Sequence, residues 1–114
     1  MENCLFCKIA AGEIPSNKVY EDDRVLAFRD IAPQVPVHVL VIPKKHIPNW
    51  YEARQEEDAV LAHLMRTAAQ VAEKEGLTEN GFRVVSNTGK NAKQSVPHLH
   101  FHVLGGAEMQ ERMA

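Results

Sequence analysis

The sequence predicts an α+β domain built on a five-stranded, mostly antiparallel sheet with one long and one short helix. Only one long segment carries helical periodicity: Leu61, Leu64, Met65, Ala68, Ala69 and Ala72 recur at intervals of three and four between Gln55 and Glu75. Short segments rich in β-branched and aromatic residues lie on either side of it, without the regular alternation that builds parallel β-α-β units. With 114 residues, 45% of them apolar, one domain over 1–114 is expected, with a core at about 4–106 and a tail at 107–114.

Taken in order, Leu5, Phe6 and Ile9 suit one face of a two-turn helix over Cys4 to Ala11, which Gly12 and Pro15 terminate. Val19 to Glu21 and Val25 to Arg29 read as strands joined by the polar turn Asp22-Asp23-Arg24. Two prolines stiffen the loop from Ile31 to Pro36, and the run HVLVI from His38 to Ile42 reads as a central strand stopped by Pro43. The long helix begins among Glu56, Glu57 and Asp58, whose charges suit a helix N-terminus, and stops at Gly76. Phe82 to Asn87 and His98 to Leu104 supply the last strands, separated by a polar loop from Thr88 to Pro97.

Thirteen Lys and Arg against fifteen Asp and Glu, without a block of one sign, argue against a nucleic-acid or membrane-surface partner. The longest uncharged apolar stretch, Val35 to Pro43, is far short of the ~20 residues of a membrane span, and no secretion signal opens the chain. A cytoplasmic location is expected.

Three of the six histidines, His98, His100 and His102, fall within five positions. Strand alternation sends them to one face and Leu99, Phe101 and Val103 to the core. Such a row of imidazoles can bind a metal, relay protons or supply a nucleophile. The loop before it offers Asn87, Thr88, Lys90, Asn91, Lys93, Gln94 and Ser95, and Gly105-Gly106 after it lets backbone N–H groups approach an anion. Cys4 and Cys7 are too few and too close for a disulfide framework, which leaves free thiols, a redox pair or metal ligands.

The run His98-Leu99-His100-Phe101-His102-Val103-Leu104 resembles the signature of the histidine triad (HIT) nucleotide-binding family. The flanks, Phe28 to His38, Leu40 to Ile47, Gln94-Ser95-Val96 and Gly105-Gly106, resemble its Hint branch, the purine nucleoside phosphoramidases. The similarity runs from Cys4 to about Gly106. It implies a HIT-like fold and cleavage of the P–N bond of a purine nucleoside phosphoramidate through a nucleotidyl-histidine intermediate. His100 would be the nucleophile, His102 a donor to the phosphate oxygens, Ser95 a partner of the departing group, and His38 a support from the neighbouring strand. Asp30 would accept from the ribose hydroxyls and Asn87 touch the sugar-phosphate, while Leu5, Phe6, Ile9, Phe28 and Ile31 would wall the base pocket.

The resemblance further implies a structural zinc held by Cys4, Cys7, His46 and His98, no organic cofactor, and a homodimer. The alanines of the long helix would suit such a dimer, or would seat the helix on its own sheet. Within the family the alternative activity is dinucleoside polyphosphate hydrolysis. Outside it stand a non-catalytic, zinc-stabilised nucleotide-binding scaffold and a hydrolase whose triad ligates zinc. The tail after Gly106 lacks the tryptophan and paired prolines often found there in the Hint branch.

Overall fold

The structure, a computed structural model, describes residues 3–113. Five strands form one antiparallel sheet in the order β1-β2-β3-β5-β4. They are β1 (Lys18–Glu21), β2 (Val25–Arg29), β3 (Val37–Pro43), β4 (Phe82–Val85) and β5 (Phe101–Gly105). Among the described residues three helices accompany them, α1 (Leu5–Ala10), α2 (Trp50–Ala53) and α3 (Asp58–Lys74).

Both faces of the sheet are covered, so β2 and β3 read as continuous apolar runs rather than alternating ones. On one face Val25, Ala27, Val39, Val41, Leu99 and Val103 pack with Leu64, Ala68, Val71 and Ala72 of α3. On the other, Leu26, Phe28, Leu40 and Ile42 pack with Cys4, Phe6 and Ile9 of the α1 segment. Each fully buried Leu, Val, Ile or Phe contributes about 1.5–3 kcal/mol by leaving water. Ala68 and Ala72 are buried and draw α3 close to its own sheet, whereas Ala69 stays exposed.

Local chemistry fixes the junctions. Asp22 Oδ1 accepts from Arg24 N–H at 2.8 Å and Val25 N–H at 2.9 Å, closing the β1–β2 turn. His63 of α3 reaches the other oxygen of Asp22 at 2.8 Å and pins that turn to the helix. Gly105 has a packing reason: a Cβ there would lie 2.9 Å from both methyls of Leu77. Gly106 takes φ +90°, which L side chains rarely adopt.

Three expectations need correction. The chain has a third helix, α2, only four residues long, whose cap Asn49 accepts from Glu52 N–H at 2.8 Å. The last strand starts at Phe101 rather than His98, because Leu99 N–H turns to Ile47 C=O at 2.6 Å instead of the β3 ladder. The fourth strand ends at Val85, two residues before Asn87. Of the expected tail, residues up to Met113 carry no helix or strand beyond Gly105, and Ala114 lies outside the described residues.

Candidate active site and metal cluster

The β3–β5 pairing sets Leu40 opposite His102 and His38 opposite Leu104. The side chains of His38 and His102 therefore share the α1 face, and their rings meet with centroids 5.0 Å apart. His100 lies just before the paired part of β5, its ring centroid 5.1 Å from that of His102 and 5.0 Å from Phe6, which stands edge-on to it. The alternation expected from the sequence survives even where strand pairing does not.

Hydrogen bonds assign the imidazole tautomers. The carbonyl of His98 lies 2.7 Å from His100 Nδ1, so that nitrogen carries the proton and Nε2 keeps a lone pair. At His38 the N–H of Gln34 points at Nδ1 at 3.2 Å, which makes Nδ1 an acceptor and places the proton on Nε2. His38 Nε2–H then donates to His102 Nδ1 at 2.8 Å, with Asp30 Oδ2 at 3.3 Å. His102 is left with its own proton on Nε2. The three rings thus present one lone pair, on His100, and one N–H, on His102.

Burial disfavours the charged forms of His38 and His102. Desolvation pushes the His102 pKa down to about 4, with the fields of His100 and His38 adding to it and Asp30 opposing. Desolvation also lowers His38, against the opposing pull of Asp30. A neutral imidazole is both a nucleophile and a donor of the right kind near pH 7.

On the other side of His98, Cys4, Cys7, His46 and His98 bring four ligand atoms within 4.8 Å of one another. Cys4 Sγ and Cys7 Sγ lie 3.3 and 3.5 Å from His98 Nδ1, and Cys7 Sγ lies 3.2 Å from His46 Nδ1. These separations approach the edges of a tetrahedron with metal–sulfur bonds near ~2.3 Å and metal–nitrogen bonds near ~2.0 Å. His98 is fully buried, and its Nε2–H donates to the Pro43 carbonyl at 2.8 Å, which leaves Nδ1 free to ligate. The donor set and its outer bond fit a structural metal ion.

Asp30, His38 and His102 are a second group of possible ligands within 4.8 Å. They fit a metal poorly: ligation through His38 Nε2 would move its proton to Nδ1, against the Gln34 N–H that already points there.

The remaining candidates are distributed around this centre. Phe6, Ile9 and Phe28 are buried in the α1-side core, while Leu5 is 44% exposed and Ile31 fully so. Asp30 uses Oδ1 to accept from Ala32 N–H at 2.8 Å, a turn bond that leaves Oδ2 beside His38. Asn87 is half-buried and Ser95 exposed, and among the described residues neither side chain is hydrogen-bonded to the three histidines.

Several contributors went unseen in the sequence. The Gln34 N–H and the Pro43 carbonyl are main-chain groups and leave no mark on it. Gln94, a phosphate-donor candidate by its place in the loop, instead donates its amide to the carbonyls of Pro48 at 2.8 Å and Val96 at 3.0 Å and accepts from Gly89 N–H at 2.9 Å. It shapes the loop that carries Ser95.

The α3 face of the same strand borders an apolar groove of about 720 Å³ lined by Trp50, Leu61, Met65, Ala69, Phe82 and Phe101, among others. Met65 is 78% exposed and Trp50 60%. No helix among the described residues is long and apolar enough to cross a membrane.

Comparison with known proteins shows the same architecture elsewhere. The family model described as HIT domain matches residues 11–109. A purine nucleoside phosphoramidase of Escherichia coli is 43% identical over 113 residues, 99% of this chain and 95% of the relative. A 14 kDa zinc-binding protein of Brassica juncea is 50% identical over 107 residues, 92% of this chain and 94% of the relative. The crystal structure of a HIT family hydrolase from Legionella pneumophila superposes with a TM-score of 0.92 at 49% identity, covering 96% of this chain and 97% of that one.

Proposed function

The chain belongs to the HIT domain family and is one of its hydrolases, and from that premise we propose that it cleaves the P–N bond of purine nucleoside phosphoramidates. The observation that carries this reading is the tautomer pattern: a buried His100 whose Nδ1–H is committed to the His98 carbonyl, beside a His102 whose Nε2–H is free.

In the proposed reaction His100 Nε2 attacks the α-phosphorus and the P–N bond breaks. The departing nitrogen takes up a proton from solvent, relayed through the Ser95 hydroxyl, and leaves as the amine; the water that attacks in the second step returns one proton to solvent. Positive charge appears on the nucleotidyl-imidazole, and the hydrogen bond from Nδ1–H to the His98 carbonyl becomes charge-assisted and stronger. His102 Nε2–H donates to a phosphate oxygen throughout; losing one such donor typically costs about 10²–10³ in rate. Water then attacks the phosphorus, displaces the neutral imidazole of His100 and releases the nucleoside monophosphate. Asp30 accepts from the ribose hydroxyls through Oδ2, Asn87 contacts the sugar-phosphate, and Leu5, Phe6, Ile9, Phe28 and Ile31 face the base.

Zinc is the ion we assign to Cys4, Cys7, His46 and His98. When bound there it supplies folding stability, with no open position for Lewis-acid chemistry. A reducing cytoplasm suits the two free thiols. The groove along α3 and the edge strand β4 supports a homodimer, because a second copy would cover Met65, Trp50 and Phe82.

The test is release of AMP from an adenosine phosphoramidate of lysine. Wild type should release it, and His100→Ala should be slower by at least ~10³-fold, about 4 kcal/mol of barrier. Binding of AMP without turnover would favour the scaffold reading.

A further inference from the structure

Backbone pairing of the sheet stops just short of the nucleophile. On one side β3 pairs with β5 as far as Phe101, and on the other β4 pairs with β5 only as far as His102, opposite Val85. The carbonyl of His100 is therefore beyond both ladders. It is met instead by a side chain: Ser86, the first residue after β4, donates its Oγ–H to that carbonyl at 3.0 Å.

We propose that Ser86 is a positioning residue for His100, holding the His100–Phe101 peptide plane where the sheet no longer does; the kinetic part rests on the phosphoramidase reading above. The ring of His100 is fixed at Nδ1 by the His98 carbonyl and packs perpendicular to the ring of Phe6. Those contacts set the ring relative to its neighbours, while the direction of its Cα–Cβ bond depends on the backbone. Ser86 fixes that backbone from the α3 side, where it lines the apolar groove together with Leu99 and Phe101. Without the hydroxyl, a carbonyl belonging to a residue only 5% exposed loses the donor that Ser86 gives it. A small swing of the peptide plane would misalign Nε2 with the phosphorus while leaving the nucleotide contacts, which lie on other residues, in place. The reacting geometry is steep enough that a displacement of about 1 Å can cost about a hundredfold.

The experiment compares wild type, Ser86→Ala and Ser86→Thr by steady-state kinetics on the adenosine phosphoramidate and by the imidazole NMR signals of His100. In Ser86→Ala, kcat should fall about tenfold with KM within about twofold, and His100 should show a second, exchanging set of ring signals. Ser86→Thr, which keeps the hydroxyl, should restore kcat to within about threefold of wild type and a single set. Wild-type kcat in Ser86→Ala, or a kcat loss that Thr does not repair with His100 still giving one unchanged set, would overturn the proposal. Should wild type itself fail to turn over the substrate, the reaction assigned above is wrong, and the His100 signals of the two variants still decide the role of Ser86.

Discussion

The carbonyl of His98 accepts the Nδ1–H of His100 at 2.7 Å, while the ring of the same His98 faces Cys4, Cys7 and His46. One residue thus belongs to two sites, turning its ring nitrogen to the Cys/His cluster and its backbone oxygen to the imidazole proposed as the nucleophile. Anything that disturbs the cluster reaches the lone pair of His100 through a single residue.

Metal removal should accordingly weaken catalysis without abolishing it. With the metal chelated, we expect a lower melting temperature and a loss of about 10–100-fold in kcat, as is usual when outer partners of a working group are lost. Calorimetry and AMP-release assays on zinc-loaded and stripped protein check both. Complete loss of activity with the fold and melting temperature intact would place the metal in the reaction itself.

In the proposed reaction His38 acts through His102, to which it is hydrogen-bonded at 2.8 Å. In His38→Phe the donor to His102 Nδ1 disappears, so the proton of His102 is no longer held on Nε2. A kcat lower by about 10–100-fold is expected, with the ring nitrogen signals of His102 showing mixed tautomers. An unchanged rate would mean that the hydrogen bond from His38 to His102 plays no part in the reaction.

Stability should fall with acid for a reason visible at His102. Its pKa is lowered from the usual 6.5 to about 4 by burial, so between those values the unfolded chain binds a proton that the folded chain refuses. Stability attributable to this group is therefore full above about 6.5, declines as the pH drops toward about 4, and levels off below. Denaturant unfolding at fixed metal content should show this slope in wild type and a shallower one in His102→Gln.

The groove on the α3 side predicts a dimer of twice 12.8 kDa. Met65→Glu puts a charge in the middle of it, on an exposed helix position that costs the monomer little. Light scattering should then report a monomer. A Met65→Glu variant that stays dimeric would move the interface elsewhere.

How much of this was legible in the sequence depended on periodicity. α3 and the buried strands β2 and β3 follow from apolar spacing, and the metal cluster and the histidine face from residue type together with the family resemblance. α2 escaped because four residues are too few to show a period, although Asn49 with Glu52 three positions on is a capping pattern that could have revealed it. The alternation of side chains from His98 to His100 mimics a strand, because it does not reveal that Leu99 N–H bonds to Ile47 rather than to β3. The tautomers rest on main-chain groups of Gln34 and His98, whose positions only the folded chain determines.

The most direct test of the central claim is intact-mass analysis of protein mixed with the adenosine phosphoramidate of lysine and quenched in the first turnover. A transient gain of one adenylyl group is expected, mapped to His100 by peptide sequencing and absent from His100→Ala. Turnover with no covalent adduct at any time, or an adduct on a residue other than His100, would contradict it.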